Sequence, residues 1–190
     1  MKAIQFLMNV LLLSLSSTVF AQSHAALSPA LAVSSEAQKS FEQLKTLAGT
    51  WRGAVTTDPK TDMGAAANLN ITMRVTSRGN ALVHEMNAAG APDDPTKSDH
   101  PVTMFYLDSD RLLLTHYCDA GNRPRMVAKT STDGKTVEFD FLDVSGNLQY
   151  GHMQHAVFTV IDANHHTEDW TFLMPGDKPM RAHKDLQRVK

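Results

Sequence analysis

The chain has 190 residues, with 18 Lys and Arg against 20 Asp and Glu, 42% apolar residues and one cysteine. Its formal charge of −2 argues against nucleic acid or an anionic membrane surface as partner, because both demand a basic face. One cysteine excludes an internal disulfide, so stability must come from packing and from closure of the sheet.

Residues 1–21 fit a cleavable export signal: a basic start at Lys2, an apolar stretch from Ile4 to Phe20, and Val19-Phe20-Ala21 placing cleavage after Ala21. Gln5, Asn9, Ser14, Ser16, Ser17 and Thr18 interrupt that stretch, whereas a membrane anchor needs about 20 strongly apolar residues. Lipid attachment would need a cysteine at the cleavage point, and Cys118 is far from it. Cleavage removes Lys2 alone among the charges, leaving 17 basic and 20 acidic side chains, a net of −3. The expected location is periplasmic or secreted, with no membrane anchor after cleavage.

Residues 22–35, rich in Ala and Ser with Pro29 and without a sustained period, read as a flexible linker. A single domain is expected over 36–190. Ser35 followed by Gln38 is a capping-box pattern, and Phe41, Leu44, Leu47 and Ala48 recur at helical spacing before Gly49. The spacing predicts one short helix from Glu36 to Ala48, used as a lid or plug.

After Trp51 the period changes to two. Leu69, Ile71, Met73 and Val75 alternate with polar neighbours, as do Val137, Phe139 and Phe141. Turn-forming groups punctuate the chain, among them Ser77-Arg78-Gly79-Asn80, Asp108-Ser109-Asp110, Asp119-Ala120-Gly121-Asn122 and Pro175-Gly176-Asp177. The stretch from Ala88 to Pro101, with three prolines, is a loop. Cutting at these points leaves about ten strands in hairpin sequence, so the fold class is all-β, an antiparallel up-and-down barrel that removes both sheet edges by closing on itself.

The run Leu47-Ala48-Gly49-Thr50-Trp51-Arg52-Gly53, directly after a short helix, resembles the Gly-x-Trp opening of the calycin superfamily, which includes lipocalins, fatty-acid-binding proteins and nitrobindins. That resemblance implies a calycin-like barrel whose Trp51 closes one end beneath a basic side chain of the last strand, here Arg188; a guanidinium on indole is a favourable cation–π contact. The stretches Leu114-Thr115-His116-Tyr117-Cys118 and Asn122-Arg123-Pro124-Arg125-Met126 also resemble an uncharacterised bacterial family of exported calycin-like proteins. The likeness implies a fold and hardly any chemistry.

Strand parity selects the candidate site residues. If Leu112 and Leu114 face inward, so do His116 and Cys118; on the strand ending at Met174, Glu168, Trp170 and Phe172 share a face. His116 and Glu168 would then form a polar spot that holds the head group of a ligand, a buried pair that fixes register, or an acid–base couple. Of His84 and Glu85, one must face inward, and parity does not say which. Cys118 is either a small buried group or a free thiol. Met126 and the other scattered methionines suit an adaptable cavity wall or an ordinary core. The candidate cavity set is therefore His116, Glu168, Trp170, His84, Glu85, Met126 and Cys118.

Metal and cofactor readings are weak. His152 and His155, three apart on a strand, are expected on opposite faces, and His165 and His166 beside a turn read as solvated. The clustered Cys and His of a structural zinc site do not occur. The resemblance to nitrobindins raises heme, held by a His near the end of the chain; the nearest match, His183, is of opposite parity to Arg188 and should face solvent. No cofactor is expected. The reading is an exported binding protein for a small apolar or amphipathic molecule. Its alternatives are a small hydrolase or isomerase using His116 with Glu168, a heme protein, or an interaction domain with an apolar patch outside at Tyr117 and Leu113.

Overall fold

A computed structural model describes residues 34–60, 68–92, 94–129 and 133–190. The expected export signal and most of the linker lie outside the described residues.

Helix α1 spans Glu36–Lys45. Ser35 caps it, its Oγ accepting the Gln38 N–H at 3.1 Å, while Gln38 turns its own amide to Glu42 instead of completing a capping box. Glu36 in the first turn and Lys45 in the last complement the helix dipole. The helix stops three residues earlier than the apolar spacing predicts. Thr46 ends it by bonding the Gln43 carbonyl through both its N–H and its hydroxyl, and Leu47 and Ala48 continue as tight i→i−3 turns. Leu47 still packs in the core, which is why helical spacing extends past the helix itself.

Ten strands follow: β1 (Gly49–Asp58), β2 (Asn68–Thr76), β3 (Ala81–Ala88), β4 (Val102–Asp108), β5 (Arg111–Tyr117), β6 (Asn122–Ala128), β7 (Thr136–Gly146), β8 (His152–Asp162), β9 (His165–Met174) and β10 (Lys178–Arg188). Each pairs antiparallel with the next, and β1 pairs with β10 from Trp51↔Arg188 to Asp58↔Arg181, closing the all-β barrel expected from the sequence. Closure depends on two glycines. A Cβ at Gly53 would lie 1.7 Å from the Asp185 carbonyl oxygen of β10, and one at Gly49, where φ is +142°, would lie 2.3 Å from Arg188 Nη1.

The hairpin turns β2–β3, β4–β5, β6–β7 and β8–β9 gather at the end where α1 sits against β4 and β5. Phe41, Leu44, Leu47, Trp51, Ile71, Leu82, Phe105, Leu112, Leu114, Phe139 and Phe158 belong to one continuous apolar core that includes the helix. Trp51 donates its indole N–H to the Leu47 carbonyl at 2.8 Å and carries Arg188 over its ring at 4.1 Å. Arg188 also donates to the carbonyls of Ala48, Thr46 and Ala163, tying the last strand to the helix exit.

Three irregularities interrupt the register. One lies near the β8–β9 turn, where Val160 pairs with His166 and Asp162 with His165, so that Ile161 is an extra residue. The other two lie within the strands. Arg125 pairs with Asp143 and Met126 with Phe141, so Leu142 is an extra residue in β7; Met153 pairs with Phe172 and His155 with Thr171, so Gln154 is an extra residue in β8. Because of the extra residue at Gln154, His152 and His155 pair with Leu173 and Thr171, two residues of one parity, instead of dividing between the faces as a three-residue spacing predicts. Val75 departs from its expected place as well: at the end of β2 it is exposed.

Candidate functional site

A layer of polar side chains crosses the middle of the barrel. Glu168 on β9 is 0% exposed, and four donors converge on its carboxylate. His84 Nε2 of β3 lies 3.0 Å and His166 Nε2 3.3 Å from Oε1, while Trp170 Nε1 lies 3.0 Å and Lys184 Nζ of β10 3.1 Å from Oε2. Burial by itself would raise the Glu168 carboxyl; the attraction of His84 and Lys184 and the hydrogen bonds of His166 and His84 outweigh it and hold the group well below the usual carboxylate range. Glu168 is thus an ionised anchor whose lone pairs are occupied.

The layer connects to both ends. Toward the helix, His166 stands edge-on to Trp51 with ring centroids 4.2 Å apart. Toward the other end, Trp170 is tilted against His116 at 5.3 Å. His116 is 3% exposed, and its Nδ1 lies 2.8 Å from the hydroxyl of Thr103, also buried, on neighbouring β4. Burial, then the charges of Lys184 and His84, push its pKa down to about 3, so the ring is neutral near pH 7. Its Nε2 is buried without a hydrogen-bond partner among the described residues.

Beyond His116 the barrel opens into a cavity of about 490 Å³. Met86, Met153, Phe172 and Met180 supply apolar wall, the buried His116 lines its inner end, Cys118 lines it just past the end of β5, and the exposed Asp99, Asp119 and Tyr150 stand at the rim. These residues come from β3, β5, β8, β9, β10 and the neighbouring loops, all at the end opposite α1. The Asp119 backbone N–H donates to Asp99 at 3.2 Å, joining the loop before β4 to the turn after β5. Partial burial and the charge of Asp119 raise the Asp99 carboxyl, and burial likewise raises the Cys118 thiol, which is half-buried and free.

The sequence-predicted residues divide among these places. His116 and Cys118 line the cavity; His84, Glu168 and Trp170 lie in the polar layer behind it. Glu85 is corrected: β3 turns Leu82, His84 and Met86 inward, so Glu85 is exposed on the outside. Met126 is likewise not a cavity residue but a fully buried member of the apolar core. His116 does not pair with Glu168, since its ring is turned to Thr103 and the carboxylate is filled by other donors. Leu113 offers no exposed patch: it is 1% exposed, between Tyr106 and Val127 in register, while Tyr117 is exposed.

His166 and Lys184 are the residues sequence reasoning missed. Parity with Glu168 and with Arg188 placed both on inward faces. A histidine beside a turn reads as solvated and a lysine reads as exposed, so residue type outweighs parity at both positions. His183, the position the nitrobindin resemblance offers for heme, is half-exposed and bonds Asp169 on the outside at 2.7 Å, which does not fit a ligand held within the barrel. Glu138, Asp140 and His155 come together on β7 and β8 with ligand atoms within 4.8 Å of one another, but Lys129 already bridges the two carboxylates at 2.8 Å each.

No family model matches the chain, and no curated protein matches it. Among solved structures it is similar to the crystal structure of Rv2717c from M. tuberculosis, at 12% identity and a TM-score of 0.58, over 79% of this chain and 97% of that one. A protein of unknown function from the DUF3598 family, from Nostoc punctiforme PCC 73102, overlaps at 10% identity and a TM-score of 0.41, over 77% of this chain and 48% of that one. The first likeness is one of fold.

Proposed function

We propose that this chain is an exported, calycin-like barrel that binds a small apolar or amphipathic molecule in the cavity at its open end. The observation that carries this reading is the cavity itself. Its volume of about 490 Å³ falls in the range of ligand sites of roughly 300–1,000 Å³, and it combines apolar wall with few polar groups, as such sites do. Methionines at three wall positions give a surface that can repack around different shapes. Burial of apolar ligand surface would supply most of the affinity.

An acid–base enzyme gains little from this geometry. Glu168 is ionised and fully bonded, and His116, neutral and paired to Thr103, is not in contact with it. Binding is therefore favoured over catalysis, and the export reading rests on residues 1–21 of the sequence.

The test is twofold. Protein recovered from the exporting cell should begin at Gln22, and it should enhance the fluorescence of the neutral probe N-phenyl-1-naphthylamine. Filling the cavity by Met153→Trp should abolish the enhancement while circular dichroism remains unchanged. A folded wild-type protein that neither enhances the probe nor carries a co-purified molecule in native mass spectrometry would overturn the binding reading.

A further inference from the structure

The polar end of the cavity is a hydrogen-bond donor without a full charge, and this restricts the class of ligand. The Thr103 hydroxyl is buried, and its hydrogen-bond partner is His116 Nδ1 at 2.8 Å. A buried hydroxyl has one proton to place and two lone pairs; leaving the proton unpaired is the costlier deficit. We therefore assign Thr103 as donor and His116 as the Nε2–H tautomer; among the buried groups without a partner in the described residues, that N–H is the one on a cavity-lining residue. His116 is in turn the cavity-lining member of the polar layer.

Charge at the two depths of the cavity sharpens the restriction. Behind His116, Lys184 and His84 are both engaged by the Glu168 carboxylate, so neither is turned directly to an entering anion. At the rim stand two carboxylates, Asp99 and Asp119. A ligand carboxylate driven to the floor would meet one neutral N–H, and an anion buried without a counter-charge is strongly disfavoured. A ligand carboxylate left at the rim would meet two charges of its own sign.

Resting on the binding reading above, we propose that the cavity selects molecules with an apolar body and an uncharged acceptor oxygen, such as a ketone or ester carbonyl, at the buried end, and that it discriminates against fatty-acid-like anions. His116 Nε2 donates to that oxygen, Thr103 holds the tautomer, and the rim tolerates a neutral or cationic outer group.

Displacement of N-phenyl-1-naphthylamine by a matched series of ten-carbon compounds tests this on the whole chain. The expected result is that 2-decanone displaces the probe about five- to tenfold more effectively than decane and at least tenfold more effectively than decanoate, from one to two hydrogen bonds' worth of preference. His116→Phe, which conserves volume and removes the N–H, should erase the advantage of 2-decanone over decane. Where that variant does not fold, Thr103→Val serves instead: it frees the tautomer, and the ketone should lose ground to 1-decanol, which can donate. Decanoate binding as tightly as the ketone, or decane matching it in wild type, overturns the proposal and leaves the binding reading intact. Failure of the probe and of every compound to bind folded protein overturns both.

Discussion

At the helix end, Phe41, Leu44 and Leu47 from the helix and its exit join the inward-facing Trp51, Ile71 and Phe105 of the strands, all fully buried, to fill the barrel; at the far end the strands present Met86, Met153, Phe172 and Met180, half-buried around open volume. One sheet thus carries a packed half and a hollow half. Between them lies the Glu168 layer, which ties together three of the five strands that line the cavity: β3 through His84, β9 through His166 and Trp170, and β10 through Lys184. The contrast teaches where stability and binding reside. Truncation in the packed half should cost folding energy, and truncation in the hollow half should alter ligand preference at little cost to folding.

The largest effect is expected at the boundary. Glu168→Gln keeps the shape but strands Lys184 without a counter-charge, and breaking one partner of a buried pair costs about 3–5 kcal/mol. The double replacement Glu168→Leu with Lys184→Met removes both charges but leaves the Trp170 indole N–H, His84 and His166 without their acceptor, so it should recover only part of that loss. Urea unfolding measures both; a loss below about 1 kcal/mol for Glu168→Gln would show that the layer does not hold the barrel together. Next in size is the direct contrast between the halves. Leu44→Ala should destabilise by about 2–5 kcal/mol through loss of buried surface and the cavity left behind, whereas Met180→Ala, beside space that is already open, should cost under about 1 kcal/mol. Equal losses would mean that the far end is as tightly packed as the helix end.

The sequence made these two halves visible to different degrees. Strict alternation, spaced turns and the Trp51–Arg188 pair spelled out the closed barrel, because closure repeats one physical rule along the chain. The inward faces of β5 and β9 followed from parity alone, which is how His116, Glu168 and Trp170 could be named. On β3 parity gave no answer, because the outward row carries the apolar Val83, nearly as buried as the inward Leu82, and the inward row carries the polar His84. The extra residue at Gln154 was invisible for a related reason: a bulge leaves no turn residue behind, yet it reverses the face of what precedes it. Lys184 was hidden by composition, since only its partner's burial makes an inward lysine sensible.

A smaller effect should appear on acidification. The His116 pKa falls from an ordinary 6.5 to about 3 in the folded protein, so between those values the unfolded chain binds a proton that the folded chain refuses. Stability from this group is therefore fully present above about pH 6.5 and declines by about 1.4 kcal/mol per unit as the pH falls toward 3. Glu168, held below its ordinary 4.5, adds a second decline in the same direction, beginning only under about pH 4.5. Urea midpoints at about pH 7 and about pH 5 separate the two. Wild type should lose roughly 2 kcal/mol more than His116→Phe over that interval, and parallel behaviour would mean that the ring is not kept neutral by the barrel.

The finest test of the hollow half sets neighbouring residues against each other. His84 and Glu85 differ by one position on β3, yet the first donates to Glu168 inside and the second is exposed outside. His84→Phe preserves ring volume and removes a donor from a buried carboxylate, so it should cost about 1–3 kcal/mol. It should also loosen the Trp170 ring, which lies against both His84 and the cavity-lining His116, and so weaken probe binding. Glu85→Gln should stay within about 0.5 kcal/mol of wild type, as surface substitutions do, and leave probe affinity unchanged. A change in affinity from Glu85→Gln alone would place a binding surface on the outer face of β3, and the hollow interior would then no longer account for recognition by itself.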